Sequence, residues 1–167
     1  MSEVAPGGFG TAGCHSCQLA NRSDLPPRDH IYADSRWQVA HAFDSALLGW
    51  LILFPVRHLT SLSELTDDEA AGLGILQHRL SQTLIDAVGC AKIYSILLAE
   101  AEGFAHLHFH IVPRHADIPA EFRGPRVFGY LGRADSERVS DEDMDALARR
   151  LQTHPALSRT GLDRRDP

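Results

Sequence analysis

Three histidines alternate with apolar residues in the stretch from His106 to His110, whose sequence is His-Leu-His-Phe-His. The side chains of a β-strand point alternately to its two faces, so this pattern predicts three imidazoles on one face and an apolar opposite face. Imidazole serves as metal ligand, nucleophile or proton carrier near neutral pH. On a flat strand His106 and His110 would lie about 13 Å apart, too far to share one metal ion. At least one imidazole therefore remains for chemistry other than metal binding.

Two cysteines near the N-terminus, Cys14 and Cys17, have the Cys-x-x-Cys spacing that opens many zinc sites. The same spacing also fits a pair of free thiols or a redox dithiol. The chain has three cysteines in all and no signal-peptide pattern, so a metal or redox role is favoured over a structural disulfide. We accordingly expect a cytoplasmic protein.

Length, charge and hydropathy limit the class of protein. A chain of 167 residues suits a single domain, which we place at residues 14–156, after a disordered lead (1–13) and before a polar tail (157–167). The net charge of -6 argues against a partner that is a nucleic acid polymer, although a small nucleotide needs only a local anion site. No apolar run reaches the ~20 residues of a membrane-spanning helix.

The remaining patterns predict the elements that position these residues. A capping box at Thr66 and Glu69 begins a helix that runs to about Val88 with a leucine stripe on one face. A strand from Lys92 to Ala99 precedes the histidines, so the two segments should form an antiparallel hairpin. Other strands are predicted at 30–32, 37–43 and 49–54, and a last helix begins near Ser140. His41 shares a face with Trp37, Val39 and Phe43 and is predicted to be structural.

The order of these features resembles the histidine triad (HIT) family. The carriers of the resemblance are the His106–Arg114 stretch, the Cys14–Cys17 pair, the Pro-x-x-His motif at Pro55–His58 and the helix start at 62–69. They span residues 14–115, which leaves 116–156 as a C-terminal extension. The resemblance implies an α+β fold with a five-stranded antiparallel sheet, a long helix and a C-terminal helix, and a homodimer.

The resemblance also implies roles for individual residues. The central histidine, His108, would be the nucleophile and His110 would assist it by donating to a phosphoryl oxygen. A structural zinc ion would be the cofactor, and Asp44, Glu102 and Gly103 match positions that contact substrate. The ligands implied for zinc are Cys14, Cys17, His58 and His106.

Three departures from the family pattern lie around the expected site. Many members have Gly-His where this chain has Gly49-Trp50. The loop before the histidines is several residues shorter, and Glu102 occupies the position of the family's glutamine. The segment between Tyr32 and Asp44 is about two residues longer than the family spacing.

The implied function is attack on the α-phosphate of a nucleotide through a nucleotidyl-histidine intermediate. The protein would be a nucleotide hydrolase or nucleotidyl transferase, of dinucleoside polyphosphate hydrolase or nucleoside phosphoramidase type. One alternative is a non-catalytic domain that is stabilised by a structural zinc ion and binds nucleotides or protein partners. A second is an unrelated metalloenzyme, because His-x-His on a strand also occurs in other metal sites.

Overall fold

The structure, a computed structural model, describes residues 13–158. Its centre is a five-stranded antiparallel sheet in the order β1-β2-β3-β5-β4, so the fold is α+β, as predicted. The strands are β1 (Tyr32–Ala33), β2 (Trp37–His41), β3 (Leu51–Pro55), β4 (Lys92–Leu97) and β5 (Phe109–Arg114). The α-helices are α1 (His15–Ala20), α2 (Asp67–Val88), α3 (Asp141–Gln152) and α4 (Pro155–Ser158). Short 3-10 helices occupy Pro27–Asp29, Leu62–Glu64, Ala120–Phe122, Gly124–Tyr130 and Asp135–Glu137.

Helix α2 covers one face of the sheet and has the predicted capping box. The Thr66 hydroxyl accepts from the Glu69 N–H, and the Glu69 carboxylate accepts from the Thr66 N–H. These bonds satisfy two donors that the first turn would otherwise leave free. Its leucine stripe packs in one core with the apolar side chains of the strands and of α3: Leu73, Leu76, Leu80, Leu84, Val39, Leu53, Ile111 and Leu151.

The period-two pattern of the histidine stretch is confirmed, but its strand is shorter than predicted. Leu107, Phe109 and Ile111 all enter the core beneath α2, whereas His110 belongs to the opposite face. Strand β5 begins only at Phe109, so His106 and His108 precede it. The reason is that the Leu107 N–H donates to the Leu59 carbonyl, outside the sheet, at 2.6 Å.

The opposite face of the sheet is covered by the C-terminal extension. Ile118 and Val127 pack with Trp50 and Val112 in a second core, flanked by Phe128. Trp50 was predicted within a buried strand, but it lies one residue before β3. Gly49 turns the chain there with φ of +90°, and a Cβ at this position would lie 3.3 Å from the Pro113 side chain. Glycine therefore fits both the backbone conformation and the close packing that directs Trp50 into this core.

The predicted chain ends are only partly described. Apart from Gly13, the disordered lead predicted for 1–13 lies outside the described residues. The predicted tail (157–167) includes Leu157 and Ser158, which belong to α4, and Leu157 is buried against the core. Across residues 13–158, no helix has the combination of length and hydropathy that crossing a bilayer requires.

Candidate active site and metal cluster

Four side chains from three parts of the chain converge in a buried cluster that could hold a metal ion. Cys14 is the N-cap of α1 and Cys17 lies one turn later; His58 follows β3 and His106 precedes β5. Their potential ligand atoms all lie within 4.8 Å of one another. Cys14 Sγ is 3.4 Å from His106 Nδ1, and Cys17 Sγ is 3.2 Å from His58 Nδ1 and 3.5 Å from His106 Nδ1. These are the four residues that the resemblance implied as ligands.

The geometry and chemistry of this cluster fit a tetrahedral metal site. Bonds of about 2.3 Å to sulfur and 2.0–2.1 Å to nitrogen place neighbouring S and N ligands of a tetrahedron about 3.6 Å apart. Nε2 of His106 donates to the Pro55 carbonyl at 2.8 Å, which leaves Nδ1 with a free lone pair directed at the cysteines. Burial and the neighbouring Cys14 raise the pKa of the Cys17 thiol to about 11. A cation beside this thiol would favour its thiolate form at neutral pH.

His108 is held as a neutral imidazole with a defined tautomer. Its Nδ1–H donates to the His106 carbonyl at 2.8 Å. Because Nδ1 carries the proton, Nε2 carries a lone pair, and it has no hydrogen-bond partner among the described residues. Burial lowers the pKa of His108, which favours the neutral form.

His110 has the opposite tautomer. The Trp50 indole N–H donates to His110 Nδ1 at 3.0 Å, so the proton of the neutral ring lies on Nε2. The ring is packed edge-on against Trp50 and Phe128, with centroid distances of 5.7 and 5.0 Å, and it lies 4.8 Å from the His108 ring. Burial, and to a smaller extent the nearby His108, lower the pKa of His110 to about 4. The pair thus presents a lone pair and an N–H side by side.

Both imidazoles line a cavity of about 460 Å³ between the sheet, α1, the 98–104 loop and the C-terminal extension. Its wall is mainly apolar, and its other titratable residues are His15, His41, Asp44 and Glu100. Among the described residues that line it there is no lysine or arginine. The side-chain donors that the described wall offers to an anion are therefore its imidazoles and the Ser16 hydroxyl rather than cationic side chains.

An aromatic cluster lies at one side of this cavity. The His15 ring contacts the rings of Phe43 and Phe104, with centroid distances of 5.2 and 5.6 Å. Phe43 is 50% exposed and lies two residues beyond β2, although the sequence pattern predicts a strand through residue 43. An exposed aromatic side chain beside a cavity offers a flat apolar surface for stacking.

The architecture is similar to that of several solved proteins, although neither family models nor curated proteins match the sequence. A Zn-bound histidine triad family protein from Mycobacterium smegmatis aligns with a TM-score of 0.61 at 18% identity, covering 85% of this chain and 95% of that one. A histidine triad (HIT) protein from Sinorhizobium meliloti aligns with a TM-score of 0.62 at 25% identity, covering 85% and 97%. A hypothetical histidine triad nucleotide-binding protein from Sulfolobus tokodaii gives 0.62 at 19% identity, covering 83% and 89%. The chain has the histidine triad fold.

Within this fold, the structure brings together most of the residues selected from the sequence. The cysteine–histidine cluster forms one group, and His108 and His110 form another. Asp44 lines the cavity, and one of its carboxylate oxygens accepts from the Gly132 N–H at 3.1 Å. The C-terminal extension therefore contacts a predicted substrate-binding residue directly.

Glu102 and Gly103 are not among the residues that line this cavity, and their role as substrate contacts stays a prediction. Both are exposed in the turn before the histidines, where the Gly103 carbonyl accepts from the His15 N–H at 3.5 Å. The shortened loop bends at Ala99, which has φ of 51°, so that Glu100 and Ala101 line the cavity instead. Arg114 at the end of β5, and Arg123 and Arg126 in the C-terminal extension, do not line the cavity.

Trp50 and His41 contact the site in ways that the sequence does not reveal. The sequence places Trp50 only within the predicted 49–54 strand, although a buried indole N–H usually has an acceptor and so indicates a partner. His41 is structural, as predicted: its Nδ1–H donates to Ala42 and its Nε2 accepts from Gly49. These bonds fix the loop that carries Trp50.

Proposed function

We propose that the protein is a nucleotide hydrolase or nucleotidyl transferase that attacks the α-phosphate through His108. The observation that carries the proposal is the 2.8 Å hydrogen bond from His108 Nδ1–H to the His106 carbonyl. It leaves the Nε2 lone pair for attack on phosphorus, in a cavity that also contains His110.

The proposed reaction has two steps. His108 Nε2 forms a bond to the α-phosphorus while the bond to the leaving group breaks, and the electron pair departs with that group. Water then forms a bond to the phosphorus and loses a proton to the solvent. The P–N bond breaks with its electron pair on Nε2, which returns His108 to its neutral form with the proton still on Nδ1. The His110 N–H hydrogen bonds a phosphoryl oxygen, where negative charge must be stabilised in both steps.

The cavity wall supports a nucleotide as the substrate. Phe43 and Phe104 supply aromatic surface for a base, and Asp44 supplies a carboxylate oxygen for ribose hydroxyls. The Sulfolobus tokodaii neighbour is named as a nucleotide-binding protein, which agrees with this assignment. Leaving groups of both the phosphoanhydride and phosphoramidate types are compatible with attack at the α-phosphate.

Zinc is the metal that we propose for the cysteine–histidine cluster. Two thiolates and two imidazoles form a closed tetrahedral set, typical of structural zinc, and the Mycobacterium smegmatis neighbour is Zn-bound. The ion would fix His106, and through the His106 carbonyl it would help to orient His108. Homodimerisation and a cytoplasmic location remain predictions; light scattering tests the first.

Hydrolysis of adenosine nucleotides in H2¹⁸O tests the proposal. With diadenosine triphosphate, attack at an α-phosphorus places ¹⁸O in AMP, whereas attack at the central β-phosphorus leaves AMP unlabelled and places ¹⁸O in ADP. Binding with no turnover, across dinucleoside polyphosphates and phosphoramidates, would instead support the non-catalytic alternative.

A further inference from the structure

Trp50 restricts the protonation of His110 more than another hydrogen-bonding residue at this position would. An indole N–H is only a donor, and this one is fully buried with His110 Nδ1 as its acceptor at 3.0 Å. Protonation of Nδ1 would place two N–H groups against each other and leave the indole donor without a partner in the core. Such a loss is unfavourable, because a buried donor without a partner has given up its hydrogen bonds to water with no replacement.

Within residues 13–158, the surroundings of His110 provide no hydrogen-bonded anion that would stabilise a charged ring. Its edges face Trp50 and Phe128, and its neighbours in the sheet are Ile52 and Ile96. The titratable side chains that share the cavity are His15, His41, Asp44, Glu100 and His108, and none has a hydrogen bond to His110 among the described residues.

From this geometry, and resting on the proposed function, we infer that Trp50 is a positioning residue that keeps His110 a neutral Nε2–H donor and thereby selects phosphoanhydride substrates. A neutral imidazole N–H stabilises charge on a phosphoryl oxygen but does not transfer its proton to a leaving group. His41 does not replace His110 as a proton donor to the leaving group, because both of its ring nitrogens have hydrogen-bond partners in the backbone.

The two classes of substrate place different demands on the site. In a phosphoanhydride, the P–O bond breaks with its electron pair on oxygen, and the departing phosphate is stable as an anion. In a phosphoramidate, the P–N bond breaks with its pair on nitrogen, which must gain a proton to depart as an amine. The site therefore favours the anhydride. General-acid assistance by a charged imidazole typically contributes 10²–10⁴-fold, and a neutral His110 does not supply it.

Two adenosine substrates that differ only in the leaving group test this selectivity. We expect kcat/KM for diadenosine triphosphate to exceed that for adenosine 5′-phosphoramidate by about 100-fold or more.

Trp50→Phe should lower kcat on the anhydride by about tenfold with little change in KM, because His110 loses its fixed tautomer. Trp50→His supplies a ring that can either donate a hydrogen bond to His110 Nδ1 or accept one from it. It should therefore restore kcat and narrow the preference for the anhydride, most clearly at acid pH.

Trp37→Phe is the matched control, since Trp37 is also fully buried but its indole N–H has no partner among the described residues. We expect both kinetic constants and the leaving-group preference to stay as in the wild type.

Long-range ¹H–¹⁵N spectra give a second measurement that needs no turnover. The His110 ring should remain a neutral Nε2–H tautomer from pH 8 to pH 5, and it should become an imidazolium in that range in Trp50→His.

Equal turnover of the two substrates by the wild type, or an imidazolium His110 at pH 6, would overturn the inference while leaving α-phosphate attack intact. Absence of turnover on both substrates would reject the proposed function. The wild-type spectra would still decide the state of His110, even if the Trp50 variants fail to fold.

Discussion

His106 accepts a 2.8 Å hydrogen bond on its backbone carbonyl from the Nδ1–H of His108, while its own ring lies in the cysteine–histidine cluster. The proposed metal ligand and the proposed nucleophile are therefore linked by one hydrogen bond. His106 is fixed on its other side by the Pro55 carbonyl. A metal ion that holds the His106 side chain in place should consequently also affect the orientation of the His108 ring.

Substitution of a cluster cysteine should remove the metal and lower stability. We expect the wild type to contain about one zinc per chain, and Cys14→Ser to lose it with a fall in Tm of about 10 °C or more, because metal binding contributes to the folding free energy. Elemental analysis and thermal unfolding measure the two effects. Cys90→Ser is the matched control, since Cys90 is also buried but lies outside the cluster. Equal zinc content and Tm in Cys14→Ser and the wild type would contradict the assignment.

Removal of the exposed aromatic ring beside the cavity should weaken substrate binding. Stacking on an aromatic side chain contributes about 1–3 kcal/mol per base, so Phe43→Ala should raise KM for an adenine nucleotide about tenfold with kcat little changed. Leu62→Ala is the control, because Leu62 is likewise 50% exposed but does not line the cavity. Steady-state kinetics of both variants separate base stacking from a general effect of lost apolar surface. If the two variants have the same KM, Phe43 does not contact the base.

Acidification should destabilise the fold in part through His41. Burial lowers the pKa of His41 to about 4 from its ordinary value of 6.5, so between these values the unfolded chain binds more protons than the folded chain. Protonation therefore favours the unfolded state as pH falls from about 6.5 to about 4. Between pH 7 and pH 5 this one residue should lower the free energy of unfolding by about 2 kcal/mol.

Urea unfolding at the two pH values measures that contribution. His41→Gln removes the titrating ring, so its loss of stability between pH 7 and pH 5 should be smaller than that of the wild type by about 2 kcal/mol. An equal pH dependence in the two proteins would show that His41 is not buried as a neutral ring.

The sequence was sufficient to identify the histidines and cysteines of the site, but not the residues that surround them. Strict alternation identified which face of the histidine stretch is apolar, because period two in a strand depends only on local backbone geometry. The roles of Trp50, Phe128 and Gly132 depend on contacts between residues distant in the chain. The course of the loop before the histidines has a similar origin, since the positive φ at Ala99 redirects the chain without a glycine to indicate it.

Trapping of the covalent intermediate tests the central claim most directly. The protein is mixed with an adenine nucleotide labelled at the α-phosphate, quenched in alkali to preserve the P–N bond, and examined by peptide mass spectrometry. We predict an acid-labile adenylyl group on His108 that forms and decays at rates matching turnover and is absent from His108→Ala. Turnover without such an adduct, or an adduct that persists in His108→Ala, would contradict attack by His108.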